Sequence, residues 1–258
     1  MSNSDLRPSA SHPKPATRSL SIVPIFMYHS IGEPPASSSW PVLYVRTATF
    51  RRQVGILRAL GYRLVGMSEA MPVLRGERRE RVAVITFDDA YEDVFEHALP
   101  VLLEAGARAT TYAVSGSLGG YNAWDAEKVG ARKPLMNAEL LREWRRQGMG
   151  VGAHTRTHAR LPGMSPDALE AEVRGSREDL EAVLGCAVDQ FCYPYGEMDD
   201  VIVGAVRDAG FVAATTTRRG RARSGDDLLR LRRIPVKRHL PLALFPFRVV
   251  TSYEDRRG

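Results

Sequence analysis

Cysteine is almost absent from this chain of 258 residues: Cys186 and Cys192 are the only two. That excludes a disulfide framework, so a packed core must hold the fold. No apolar run approaches the ~20 residues that span a bilayer. The opening stretch, MSNSDLRPSASHPKPATRSL, is polar and rich in Pro and Ser, without the apolar segment of a secretory signal. Residues 1–20 therefore read as a disordered arm, residues 21–258 as one domain, and the chain as given is expected in the cytoplasm. Neither an internal repeat nor a break in composition marks a second domain. Lysine is scarce. Nearly all the positive charge behind the net +6 is arginine, scattered in pairs such as Arg78-Arg79, Arg145-Arg146 and Arg232-Arg233. No basic stripe interleaved with aromatics is present, which argues against nucleic acid. A solvated face accounts for these charges, with room for a preference for anionic glycans or sugar phosphates.

What is present centres on Arg81 to Tyr91, RVAVITFDDAY. Val82 to Phe87 is apolar and β-branched, as in a strand buried on both faces of a parallel sheet. Two carboxylates, Asp88 and Asp89, arrive at its end, where α/β folds bind ligands. Adjacent acids beside a buried strand are costly unless paired; Asp89 as a helix cap and Asp88 as a solvated acid is the bland alternative.

Strands and helices alternate along the rest of the chain. Strands are expected at Ser21–Tyr28, Arg63–Val65, Ala109–Val114, Met149–Ala153, Gln190–Tyr193, Phe211–Thr216 and Leu231–Val236. Helices are expected from a Thr47 or Thr49 cap to about Leu60, and over Ser68–Leu74, Glu92–Ala105, Asn137–Gln147, Ser165–Leu184 and Asp199–Ala209, several stopped by glycine. Ser115–Pro134 is a long, glycine-rich loop of the kind that is functional or mobile. This pattern predicts an α/β fold, a distorted (β/α) barrel of about seven parallel strands in a single domain. In such a barrel His29, Asp88, Asp89, His154 and Tyr195, all at strand ends, converge on one face.

His154-Thr155-Arg156-Thr157-His158 sets two imidazoles four residues apart, close enough for one metal on a helical turn or a tight loop. Thr155 stands where a metalloprotease would carry glutamate. With an aspartate from another strand end the set suits Zn²⁺, Fe²⁺, Co²⁺ or Ni²⁺ and leaves positions open for hydrolysis.

TFDD at 86–89, HTRTH at 154–158 and YPYG at 193–196 resemble the polysaccharide deacetylases (carbohydrate esterase family 4, the NodB-homology domain). MYHSIG at 27–32 resembles the branch of poly-N-acetylglucosamine deacetylases, and the likeness runs over about residues 22–236. It implies removal of N-acetyl groups from an amino-sugar glycan or its precursor with one divalent metal, Zn²⁺ foremost. It assigns Asp88 as general base and Asp89, His154 and His158 as metal ligands. The backbone N–H of Tyr195 becomes an oxyanion donor, and His29 the general acid, with His239 its rival. A protonated His29 calls for a pKa near or above neutrality and hence a nearby carboxylate. Trp124, with Tyr121 and Asn122, and Tyr193 and Pro194 of the YPYG turn are the candidate sugar contacts. Two departures stand out: Ala90 replaces the family's glycine after the aspartate pair, and Cys192 replaces the arginine that orients the base, which leaves Asp88 without an identified partner. The expected substrate is an N-acetylated oligosaccharide or a nucleotide- or lipid-linked precursor. A small amide or imide, or a glycan-binding barrel without turnover, are the alternatives.

Overall fold

The computed structural model describes residues 20–257. The expected N-terminal arm lies outside the described residues except for Leu20. Eight parallel strands follow one another: β1 (Ile25–Tyr28), β2 (Arg63–Val65), β3 (Val82–Phe87), β4 (Thr110–Ala113), β5 (Gly150–Ala153), β6 (Gln190–Cys192), β7 (Ala213–Arg219) and β8 (Leu231–Pro235). Seven close a ring in the order β1-β8-β7-β6-β5-β4-β3, and β3 returns to β1. That closing pair runs from Ile25 opposite Val84 to Tyr28 opposite Phe87. β2 stands outside the ring and pairs only with the first half of β3. The predicted distorted barrel of about seven strands is the architecture observed.

β3 explains the burial pattern. All six of its residues are buried, because one face fills the barrel and the other meets helices. Inside, Ile25, Val84, Tyr112, Cys192, Ala213 and Leu231 belong to one apolar cluster. Outside, Phe26, Phe87, Trp144 and Phe191 belong to a second and larger one. The helical layer comprises α1 (Thr47–Ala59), α2 (Met67–Leu74), α3 (Leu99–Glu104), α4 (Ala138–Arg146), α5 (Pro166–Leu184), α6 (Asp200–Asp208) and α7 (Leu244–Val250).

Local signals set most helix ends. Ser165 caps α5 through Ala168 N–H, Pro166 opens it, and Gly185 at φ 66° stops it. Asn137 and Asp199 cap α4 and α6 in the same way. The expected threonine cap of α1 is replaced by Arg46, with Thr47 already in the helix and no side-chain cap bond. The helix expected over Glu92–Ala105 is a π-turn at Val94–Ala98 followed by α3. Pro100 has no N–H to donate one turn back, and the ladder widens ahead of it. Helix α7 lies beyond Leu231–Val236, the last element expected from the sequence; Pro246 falls in its first turn, where a missing donor costs nothing.

Candidate active site

Asp88 follows β3 and is 4% exposed, as is Asp89. The partner of Asp88 is Arg233 of β8, which is fully buried. Arg233 Nη1 and Nη2 donate to the two carboxylate oxygens at 2.6 and 2.8 Å. The other guanidinium hydrogens go to Thr216 O (2.8 Å), Thr86 Oγ1 (3.1 Å) and Cys192 Sγ (3.2 Å). All five donors are used. Burial alone would raise the Asp88 carboxyl, but the guanidinium overrides it and holds the group ionised, below the usual carboxylate range. Arg233 is the orienting residue that the sequence left unnamed. It reaches from β8 the space beside Cys192 where the family's arginine would stand.

Asp89, His154 and His158 come together as a second group. His158 Nε2 and His154 Nε2 lie 3.3 and 3.6 Å from Asp89 Oδ1, and the imidazole centroids are 4.8 Å apart. His154 Nδ1 lies 2.7 Å from Cys192 O. A carbonyl only accepts, so Nδ1 carries the hydrogen and Nε2 faces Asp89 with a free lone pair. Asp89 Oδ1 is buried without a hydrogen-bond partner. Burial works against ionisation of Asp89, yet the His158 contact holds its carboxyl far below the usual range. The Nε2 lone pair of His154, the neighbouring His158 imidazole and the orphaned anionic oxygen, with ligand atoms all within 4.8 Å of one another, fit a single divalent cation.

The backbone here is strained in a confined way. Among the described residues, the non-glycine positions with positive φ are Asp89 (74°), Ala90 (55°), Thr155 (63°), His158 (59°) and Tyr195 (59°). All five belong to this site, where such strain concentrates. The 154–158 segment is a loop and not a helical turn. Glu172 of α5 accepts from the N–H groups of Arg156 (2.9 Å) and Thr157 (3.0 Å), and Asp179 receives the Arg156 guanidinium with two contacts of 2.8 Å. Gly116 and Gly175 allow this close approach: a Cβ on Gly116 would meet Arg156 O at 2.7 Å and one on Gly175 the guanidinium at 2.4 Å.

The remaining sequence candidates divide. His29 lies within electrostatic reach of Asp88 and Asp89, the carboxylates anticipated for it. Burial outweighs them, and its pKa is lowered, not held near or above neutrality. His239 is exposed and lines a separate cavity with Met27 and Thr217. Tyr195 is 41% exposed, and its ring meets His158 edge-on at 4.8 Å. Tyr193 and Pro194 are corrected: both are buried, and the Tyr193 hydroxyl donates to Leu229 O, so neither offers a surface to a sugar. Asn122 is also fully buried and ties its own loop through Asp125, Ala131 and Lys133. Trp124 lies parallel to the His158 ring, 9° and 4.5 Å apart, so that face is not free for a substrate.

Lys133 joins the site without any mark in the sequence. It is 5% exposed, with Nζ 3.1 Å from the Tyr91 ring centre. Burial lowers its pKa to about 8 against the pull of Asp93, Asp89 and Asp125. One lysine in a glycine-rich loop carries no sequence signal of burial.

Comparison with known proteins agrees with this geometry. The family profile for polysaccharide deacetylases matches residues 75–214. The YxkH protein of Bacillus subtilis, assigned to the polysaccharide deacetylases, is 27% identical over 83% of this chain and 71% of its own. The crystal structure of BC0361, a polysaccharide deacetylase from Bacillus cereus, superposes with a TM-score of 0.76 at 26% identity, over 89% of this chain and 69% of that one. IcaB from Ammonifex degensii, at 22% identity, shares the fold with a TM-score of 0.73 over 88% of this chain and 94% of its own.

Proposed function

This chain belongs to the polysaccharide deacetylase family, and on that premise we propose that it is a metal-dependent N-deacetylase of an amino-sugar glycan or glycan precursor. One observation carries the reading. Asp89 Oδ1, buried without a hydrogen-bond partner, converges with the imidazoles of His154 and His158, next to an Asp88 kept ionised by Arg233. Asp89, His154 and His158 would hold the cation, Zn²⁺ foremost. Such an ion supplies a Lewis acid for the acetyl carbonyl and lowers the pKa of water towards ~7.

The chain's own groups do the rest. Asp88 takes the proton of the attacking water at its carboxylate; the arginine clamp fixes that carboxylate and leaves its charge in place. The Tyr195 N–H, in a turn held at φ 59°, is assigned to the developing oxyanion. His29 is assigned the proton that the leaving amine needs. Since burial lowers its pKa below the ordinary 6.5, that proton is available chiefly on the acid side of neutrality. The basic limb of the kcat profile should therefore lie below the free-histidine value and vanish in His29→Ala. His239→Ala should keep it.

The deciding experiment measures acetate release from N-acetylated oligosaccharides before and after metal stripping and reloading. Activity should follow occupancy near one ion per chain. The Asp88→Asn variant should keep the metal and lose ~10²–10⁴-fold in rate. A stripped protein that remains fully active, or an Asp88→Asn variant as fast as the parent, refutes the reading.

A further inference from the structure

A cavity of about 610 Å³ opens where β1, β7 and β8 end, roofed by the segment from Lys237 to Tyr253. One contact ties it to the active site. Met27 in its wall belongs to β1, the strand that leads into His29. Thr217, also in its wall, donates its hydroxyl to Tyr195 O at 3.1 Å, and the Tyr195 ring packs on His158.

The lining has two characters. Its polar side is basic, with Arg219, Lys237, His239, Arg248 and Arg257, and no carboxylate among the described residues that line it. Glu254 lies beneath and serves both Arg219 and Arg248, so that trio keeps one excess positive charge. Lys237 and Arg257 make no salt bridge among the described residues, and both are exposed. The other side is apolar. Leu244 and Phe247 of α7 line it, and they remain 51% and 48% exposed, so the apolar wall continues to the open surface. A nucleoside would need acceptors for its ribose hydroxyls, and a lining without carboxylates is poor in them.

We infer that this cavity binds a phosphoryl group that bears an alkyl chain, with the phosphate on Lys237 and Arg257 and the chain along Leu244 and Phe247. The acetylated sugar in the active site is then the head of a phosphate-linked glycolipid. For the sugar end alone the inference rests on the deacetylase reading above.

The test uses the full chain reloaded with Zn²⁺. Calorimetry with octyl phosphate, which has no sugar, reads the cavity apart from the reaction. It should show binding, weakened about tenfold or more in the Lys237→Gln, Arg257→Gln double variant through loss of charge-assisted contacts. Acetate release is then compared among octyl N-acetylglucosaminyl phosphate, the uncharged octyl N-acetylglucosaminide and uridine diphosphate N-acetylglucosamine. The phosphate-linked sugar should exceed the uncharged one about tenfold in kcat/KM. The double variant should erase that advantage and leave the uncharged substrate unchanged. Failure to bind octyl phosphate overturns the inference whatever the activity. Equal turnover of the charged and uncharged octyl sugars overturns it too, as does a preference for the nucleotide sugar that Phe247→Ser does not alter. Octyl phosphate bound by a protein that deacetylates none of the three sugars refutes the deacetylase reading and upholds the anion site.

Discussion

Arg233 does what lysine could not, because a lysine ammonium has three hydrogens and no planar fork to match the two oxygens of Asp88. The Arg233→Lys variant should fold, since a cation remains beside the carboxylate, but it leaves a buried acceptor unmatched. Turnover should fall ~10²-fold with metal content unchanged. With less to oppose burial, the Asp88 carboxyl rises, so the acid limb of the rate profile moves to higher pH. A profile identical to the parent's would show that the clamp does not set the charge of Asp88. Part of this was legible. The pair Asp88-Asp89, His154 and the turn at Tyr195 could be named from strand-end positions, and His158 from its spacing to His154. Arg233 could not, for in LRRIP the alternation puts Leu231 and Arg233 on one face without saying that this face looks into a barrel. Ala90 poses the reverse case. Its φ of 55° confirms that the family's glycine position demands the left-handed region, a strain of roughly 1–2 kcal/mol for alanine. Its buried methyl offsets about 0.8 kcal/mol of that.

Ser115–Pro134 shows how a loop becomes part of the site. Asn122 donates to Asp125 Oδ1 and Ala131 O and accepts from Lys133 N–H at 2.6 Å. Its own N–H bonds Lys133 O, and a bridge joins Tyr121 to Pro134. The two arms of the loop are thereby cross-tied, and Trp124 is held flat on His158. Length and glycine content marked this segment as functional, yet the sequence suggested Asn122 for a sugar; only the fold shows that its amide is spent internally. Asn122→Ala should cost about 1–3 kcal/mol of stability through unsatisfied backbone groups. It should also loosen the cover of His158 and weaken metal affinity about tenfold or more, as losing support around a ligand does. Chelator competition would measure this. Unchanged metal affinity in a folded Asn122→Ala protein would show that the loop does not position His158. Helices capped by Asn137, Ser165 and Asp199 were readable because each cap is local. The π-turn and α7 were not, because the one depends on where Pro100 meets the ladder and the other on Phe245 finding Phe26 across the barrel wall at 5.4 Å.

Closing a barrel of seven strands brings the first and last β-strands side by side, and the chain beyond β8 must then be fastened across that seam. Helix α7 packs on β1, and the residues after it are held by an acid–arginine clasp. Glu254 is fully buried and receives Arg219 Nη2 at 2.8 Å as well as Arg248 Nε. Asp255 binds Arg221 and Arg223, each at 2.8 Å. The Glu254→Gln variant strands two guanidinium groups, one of them 7% exposed, and should lose about 3 kcal/mol or more. Asp255 gives the clasp its pH dependence. Burial tends to raise its carboxyl, but hydrogen bonds from Arg221 prevail and lower the pKa to about 2 from 3.8. A depressed acid stabilises the fold above its unfolded pKa, and that stability drains away as pH falls from about 4 towards 2. The full shift would amount to about 2.5 kcal/mol, and partial solvent access reduces it to about 1–2 kcal/mol. In urea melts, Asp255→Asn should fall below the parent by that amount at pH 7, with the gap narrowing steadily from pH 4 downward. A gap of constant size from pH 7 to pH 3 would mean that Asp255 acts through packing, and that the seam is held without its charge.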